Sequence, residues 1–207
     1  MGTPSWVTVT TLLGLVIAGV AWAAMFALGR DGFWRRATLA GLAIGVYALV
    51  AQRRRLSGLF VLSAVEVGIG AVSGVALYAV FWIGDRLLRR LFPSFAAEVS
   101  ALYAVRAETQ PATMPLVLCV IGPAEELFWR GLVQARAGVL VMLVAYGAVH
   151  LWERKAILIV AAIVGGAWWG ALFAWRGTLV APIVSHLLWD LMIIVWFPVR
   201  PKPIRHS

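Results

Sequence analysis

The residues best suited to chemistry lie between positions 121 and 134, in the segment IGPAEELFWRGLVQ. Glu125, Glu126 and Arg130 are ionisable residues inside a run that is otherwise almost wholly apolar. Groups of this kind are costly to bury, so they usually face a bundle interior or a wet cavity and mark a functional site. Glu126 precedes Arg130 by four residues, the favourable order for an ion pair along one helix face.

The two adjacent carboxylates point in different directions on a helix. Glu125 is rotated by about 100° from Glu126, so it need not share the ion pair with Arg130. One carboxylate can therefore be structural while its neighbour stays free for chemistry.

Two histidines and an aspartate are the other candidates for chemistry. His186 and Asp190 are one helical turn apart, so Asp190 can accept a hydrogen bond from one imidazole nitrogen and fix the tautomer. A carboxylate buried near an imidazole, such as that of His150, suits a general base that activates water. Histidine and carboxylate ligands could equally hold a divalent metal such as zinc. The usual HExxH zinc motif and the GxSxG nucleophile motif are both absent from the sequence.

The composition indicates how these residues are held. Hydrophobic residues make up 62% of the 207 residues, charged residues only 13%, and the mean hydropathy is +0.91. These values indicate a polytopic membrane protein, an all-α bundle of transmembrane helices. The net charge of +9 does not indicate nucleic-acid binding, because the Lys and Arg residues lie in short loops where they set topology and meet anionic lipid head groups.

The apolar runs predict about seven spans. They are Val7–Leu28, Ala37–Ala51, Leu59–Ile83, Met114–Gln134, Gly138–Trp152, Ala156–Trp175 and Leu179–Phe197. Between the third and fourth, Asp85–Thr113 contains leucines alternating with arginines, which favours an interfacial amphipathic helix or connector. Residues 1–113 therefore form N-terminal spans with this connector, and residues 114–207 form the helix core that carries the chemistry.

Several other residues in the spans are expected to serve packing. Glu66 is predicted to hydrogen-bond another helix, and the Gly70–Gly74 and Gly166–Gly170 pairs permit close helix contact. Ser185 is expected to pack between helices. Cys119, the only cysteine, is predicted to be a small buried apolar residue.

The distribution of basic residues predicts the orientation. Most Lys and Arg residues lie in the loops after the first, third and fifth spans and in the C-terminal tail. By the positive-inside rule, the C terminus is cytoplasmic and the N terminus is external in a multi-pass protein of the cell membrane.

A depth estimate brings the polar residues together. At 1.5 Å per residue, Glu125, His150, His186 and Asp190 fall about 12–18 Å from the starts of their spans. In a hydrocarbon core of about 30 Å, all of them lie near the midplane. The sequence therefore predicts one shared, buried polar site built from three helices.

These residues also resemble a known family. Leu118–Phe197 is similar to the CPBP family of intramembrane proteases, which includes type II CAAX prenyl endopeptidases and bacteriocin-processing or immunity proteins. Three motifs carry the likeness, namely EExxxR, FxxxH with Tyr in place of Phe, and HxxxN/D. In this sequence they correspond to Glu125, Glu126 and Arg130, then Tyr146 and His150, then His186 and Asp190.

The resemblance implies an endopeptidase that acts on a membrane-associated protein or peptide, in C-terminal processing or leader removal. It implies that Glu125 and His150 activate a water molecule, and that His186 and Asp190 stabilise the oxyanion. A metal, if one is used, would be held by Glu125, His150, His186 and Asp190. Alternative interpretations are a non-proteolytic transporter, an immunity or interaction protein that retains the motifs, or bis-histidine haem binding by His150 and His186. The oligomeric state and the substrate stay open.

Overall fold

The protein is a bundle of α-helices. The computed structural model describes residues 5–29, 31–92, 98–99 and 113–199. Every regular element within these ranges is helical, which confirms the predicted all-α class. The helices are α1 Ser5–Ala27, α2 Phe33–Gln52, α3 Ala64–Leu91, α4 Met114–Glu126, α5 Val139–Val149, α6 Ala156–Arg176 and α7 Val180–Asp190.

Short segments of altered helical pitch extend three of these helices. α4 continues as a π-helix over Leu127–Gln134, and α7 continues as a π-helix over Leu191–Trp196. α5 ends in a 3₁₀ turn, His150–Glu153, and a single turn, Leu56–Leu59, lies between α2 and α3. Such π segments are rare and are frequently found at functional sites.

The lengths and surfaces of the helices fit a membrane. α1, α2, α3 and α6 are long and apolar enough to cross a bilayer, and two shorter apolar helices span Val139–Glu153 and Val180–Trp196. Large apolar side chains on several of the helices are exposed, as expected where lipid is the solvent. The protein is therefore a multi-pass membrane protein.

The predicted interfacial helix is wrong in its first part. α3 continues without a break to Leu91, so Asp85 begins no new element. An i, i+4 ion pair between Asp85 and Arg89 supports this last part of the helix, and no proline lies between Ala64 and Phe92 to interrupt it. Residues 93–97 and 100–112 of the predicted connector lie outside the described residues.

The packing of α3 against α7 confirms the role of the first glycine pair. A Cβ atom added at Gly70 would lie 2.7 Å from the Ala181 carbonyl oxygen, and one at Gly74 would lie 2.7 Å from that of Ser185. Only glycine permits this approach, which brings α7 directly onto α3. Glu66 binds Arg176 of α6 at 2.5 Å, so it pairs with another helix as predicted.

The second glycine pair brings α6 against α5. Gly166 lies beside Tyr146, and Gly170 lies beside Met142 and the Gln134 side chain. Gln134 donates a hydrogen bond to the Gly170 carbonyl at 2.8 Å. The small residues therefore set the distance between α6 and α5, the helix that leads into His150.

Two single-residue predictions have opposite outcomes. Ser185 packs between helices as expected, with its hydroxyl 3.2 Å from both the Ser73 hydroxyl and the Trp169 indole nitrogen. Cys119 is exposed, so the prediction that it is buried is wrong. A helix surrounded by lipid has no polar side, and an apolar sequence therefore does not show which of its faces is buried.

Candidate active site

A fully buried ion pair lies immediately beside the site. Glu126 and Arg130 both have 0% exposure, and Nη1 of Arg130 lies 3.0 Å from Oε1 of Glu126. The second guanidinium nitrogen donates to the Gly166 carbonyl at 3.3 Å. This confirms the pairing expected from the four-residue spacing and ties α4 to α6.

His186 of α7 completes this buried network. Its Nδ1 lies 2.7 Å from the same Glu126 oxygen, and its ring stacks on Trp169 with 3.7 Å between the ring centroids. Glu126, Arg130 and His186 are together called the buried network below. Because one imidazole nitrogen faces Glu126 and the ring is stacked, the orientation of His186 is fixed.

The predicted hydrogen bond between His186 and Asp190 is wrong. Asp190 Oδ2 lies 3.8 Å from His186 Nε2, beyond hydrogen-bond distance. Glu126, sixty residues away in sequence, takes the position that spacing assigned to Asp190. The reason is tertiary, since α4 brings Glu126 closer to the ring than the neighbour on the same helix.

Glu125 has a different environment. Its side chain is half-buried, and the Tyr146 hydroxyl donates a hydrogen bond to its Oε2 at 2.9 Å. The backbone carbonyl of Tyr146 lies 2.7 Å from Nδ1 of His150. Glu125, Tyr146 and His150 are called the open cluster below. Tyr146 thus holds the acid with its side chain and the imidazole with its main chain.

The contact made by His150 determines what its other nitrogen can do. A carbonyl oxygen only accepts, so Nδ1 of His150 must donate to it. In the neutral imidazole, Nε2 then carries a lone pair and no proton. Trp22 and Tyr146 pack edge-on against this ring, with centroids 6.0 and 4.8 Å away, which fixes its direction.

One cavity of about 450 Å³ joins the candidate residues. Its wall includes Glu125 from α4, His150 at the end of α5, and both His186 and Asp190 from α7. The predicted convergence of three helices on one site is therefore confirmed. Glu126 and Arg130 do not line the cavity and sit behind it.

Two residues of the site were missed or undervalued by sequence reasoning. Trp169 lines the cavity and stacks on His186, but a tryptophan within an apolar helix carries no signal of such a role. Tyr146 was expected only to replace a phenylalanine. Its position one turn before His150 was the available signal, yet its hydroxyl partner could be found only from the fold.

The described residues do not fit a metal centre. Among them, no group of three or more His, Cys, Asp or Glu side chains is close enough to hold a metal ion. Nδ1 of His186 is already bound to Glu126, so this nitrogen is not available to a metal. The Glu126 carboxylate is itself paired with Arg130. One cavity contains all four predicted zinc ligands, Glu125, His150, His186 and Asp190. They are nevertheless too far apart to bind one metal ion together.

The fold and the site define an integral membrane protein with a buried site of carboxylates and imidazoles. Residues 107–192 match the Rce1-like family model, described as type II CAAX prenyl endopeptidase Rce1-like. This segment, which includes all three motifs, is similar to the Rce1-like family, and the resemblance to CPBP proteases is confirmed at that level. Comparison with curated proteins and with solved structures gave no match.

Proposed function

We propose that the protein is an intramembrane endopeptidase in which Glu125 is the general base. The observation that carries the proposal is the position of Glu125. Its carboxylate is half-buried, is held by Tyr146, and lines the same cavity as His150, His186 and Asp190. A carboxylate fixed in a water-accessible hollow beside an imidazole is suited to activate water.

The proposed reaction is hydrolysis of one peptide bond. Glu125, assisted by the Nε2 lone pair of His150, takes a proton from water while the water oxygen attacks the substrate carbonyl carbon. The carbonyl oxygen becomes an oxyanion. Collapse of this intermediate breaks the C–N bond, and the proton held by Glu125 passes to the leaving amine, so atoms and charge balance.

His186 is assigned to the oxyanion in this scheme. Its Nδ1 donates to Glu126, so it offers a second donor at Nε2 when the ring is doubly protonated. Such a donor, fixed by stacking on Trp169, stabilises charge that develops on the substrate oxygen. An ionised Asp190 cannot donate a hydrogen bond, so its proposed role is to favour the charged form of His186 from 3.8 Å away.

The cellular setting is also a proposal. The exposed apolar helices and the basic loops support a protein of the cell membrane with a cytoplasmic C terminus and a membrane-associated protein or peptide as substrate. Cysteine accessibility tests the orientation. Reagents that do not cross membranes should fail to label a cysteine introduced near the C terminus in intact cells, and labelling there would contradict it.

Comparative proteomics tests the function without a known substrate. Cells expressing the wild-type chain should contain the cleaved form of at least one membrane protein, and cells expressing Glu125→Gln should accumulate its precursor. Asp31→Asn, which changes an exposed carboxylate between α1 and α2, is the matched control and should behave as wild type. Identical sets of protein termini in the wild-type and Glu125→Gln cells would contradict the proposal.

A further inference from the structure

Three helices meet at a group of hydroxyl and indole side chains beside His186. Ser185 of α7 donates its hydroxyl to the Ser73 hydroxyl of α3 at 3.2 Å. Ser185 in turn accepts the indole N–H of Trp169 of α6, also at 3.2 Å, and the neighbouring Trp168 donates its indole N–H to Ser73 at 2.8 Å. These four residues are together called the serine–tryptophan cluster below.

The close approach of α3 to α7 allows the two serines to meet. A Cβ atom added at Gly74, the neighbour of Ser73, would lie 2.7 Å from the Ser185 carbonyl oxygen. Glycine at this position therefore brings the backbone of α3 onto α7 at the level of Ser185. Ser185 is fully buried, so its hydroxyl must find its hydrogen-bond partners within the protein.

Trp169 connects the serine–tryptophan cluster to the candidate active site. Its ring is nearly parallel to that of His186, with an interplanar angle of 18° and 3.7 Å between the centroids. The Arg130 guanidinium lies 5.4 Å from an indole ring of the same residue, within the range of a cation–π contact. The bond to Ser185 fixes the indole N–H, and it thereby sets the plane on which His186 stacks.

We propose that the Ser73–Ser185 pair positions His186 for catalysis. The two serines act through the Trp169 ring, whose plane they set. Glu126 holds Nδ1 of His186, but the last torsion of a histidine side chain is broad, and one hydrogen bond leaves the ring able to tilt. The stacked indole removes this freedom and directs Nε2 to one point in the cavity wall.

The proposal rests on the peptidase function above, in which Nε2 of His186 stabilises the oxyanion. A donor of this kind lowers the barrier only when it already points to the position where charge develops. Without the Ser185 hydroxyl, the indole N–H of Trp169 would be buried with no acceptor, and the ring would turn to find one. The imidazole that stacks on it would turn with it.

The proposal also gives α3 a part in the reaction. Ser73 lies outside residues 107–192, the segment that is similar to the Rce1-like family, whereas Trp169, Ser185 and His186 lie within it. A helix that precedes the family-like segment therefore helps to orient a catalytic group inside that segment.

The test is NMR of the full-length chain, with isotope-labelled histidine, in phosphatidylcholine nanodiscs. The sequence has three histidines, His150, His186 and His206, so the imidazole signals are few, and His186→Gln assigns those of His186. The ring current of a stacked indole shifts the signals of the imidazole. Ser185→Ala should therefore move the His186 signals and leave those of His150 in place, and Ser73→Ala should move them in the same direction by a smaller amount.

Thr11→Val is the matched control. Thr11 is buried as well, and its hydroxyl donates to the Val7 carbonyl at 2.8 Å within α1, so its loss should leave every imidazole signal unchanged. Trp169→Phe removes the indole N–H, and Ser185→Ala added to it should then move the His186 signals no further. Wild-type His186 signals in both serine variants would overturn the proposal. A shift of equal size on Ser185→Ala with and without the indole N–H would overturn it too.

Kinetic measurements separate this proposal from the peptidase function. With a precursor identified by proteomics, Ser185→Ala should lower kcat about tenfold and leave KM unchanged, because the oxyanion forms only on the way through the transition state. Shifted His186 signals with no cleavage by the wild-type chain would keep the positioning of His186 and reject the peptidase. Shifted signals with wild-type kcat in Ser185→Ala would keep the peptidase and overturn the proposal. If Ser185→Ala does not fold, Ser73→Ala decides both measurements.

Discussion

The buried network and the open cluster begin at two adjacent glutamates, yet they differ in solvent access and in partners. Glu126 is fully buried and contacts Arg130 and His186, whereas Glu125 is half-buried and accepts a hydrogen bond from the Tyr146 hydroxyl. A rotation of about 100° between neighbouring residues places one carboxylate behind the cavity and the other in its wall. Two adjacent residues can therefore have separate roles, with Glu126 suited to stabilise the fold and Glu125 suited to chemistry.

Substitutions in the two regions should also affect different properties, stability in one and turnover in the other. Removing one partner of a buried ion pair leaves a charge without compensation, and this affects the folded state. Removing a group that faces a cavity leaves no such charge and affects the reaction instead. Changes in the buried network should therefore lower stability first, and changes in the open cluster should lower turnover first.

The largest stability effect is expected for Arg130→Met. It leaves Glu126 buried with only His186 beside it, and the free energy of unfolding should fall by about 3–5 kcal/mol. Unfolding of the purified protein in mixed micelles measures this change. Glu126→Gln/Arg130→Met removes both charges and should recover most of the loss, so equal instability of the single and double variants would refute the role of the pair.

A smaller effect, on rate, is expected for Tyr146→Phe. The variant removes the hydroxyl that positions Glu125 but keeps the ring and the carbonyl that binds His150. Loss of one hydrogen bond to a charged group should lower kcat about tenfold, with KM and the unfolding midpoint unchanged. Steady-state kinetics on a precursor identified by proteomics separates the two parameters.

Tyr47→Phe provides the control for that change. Tyr47 donates its hydroxyl to the Thr10 carbonyl between α1 and α2, away from the cavity. Its removal should leave kcat at the wild-type value. A purely structural role for Tyr146 would instead lower stability and leave kcat untouched.

The smallest effect is expected for Asp190→Asn. Asp190 acts on His186 only through its charge at 3.8 Å, and Glu126 keeps its closer contact with the ring, so the rate should change by about threefold or less. The same kinetic assay measures this. A loss as large as that of Glu125→Gln would show that Asp190 belongs with the open cluster as an essential group.

The part of the site that depends on local spacing could be predicted from the sequence. Glu126 and Arg130 are one helical turn apart, so their pairing follows from helix geometry alone. The convergence of Glu125, His150 and His186 followed from their similar depth in the spans. The glycine pairs of α3 and α6 also predicted correctly where these helices lie close to a neighbouring helix.

The remaining contacts depend on how the helices pack. Glu126 to His186 and Glu125 to Tyr146 join residues from different helices, and no periodicity gives their relative rotation. For the same reason Cys119 was placed on the wrong face. The prediction of a separate interfacial helix after Asp85 was wrong. Leucines alternating with arginines are compatible with the last turns of a spanning helix as well as with a new helix at the membrane surface.

The most direct measurement of the central claim is cleavage by the purified chain in liposomes. With an identified precursor as substrate, Glu125→Gln should lower kcat by about a thousandfold while the unfolding midpoint stays at the wild-type value. Wild-type cleavage by a correctly folded Glu125→Gln protein would contradict the assignment of Glu125 as the base that activates water.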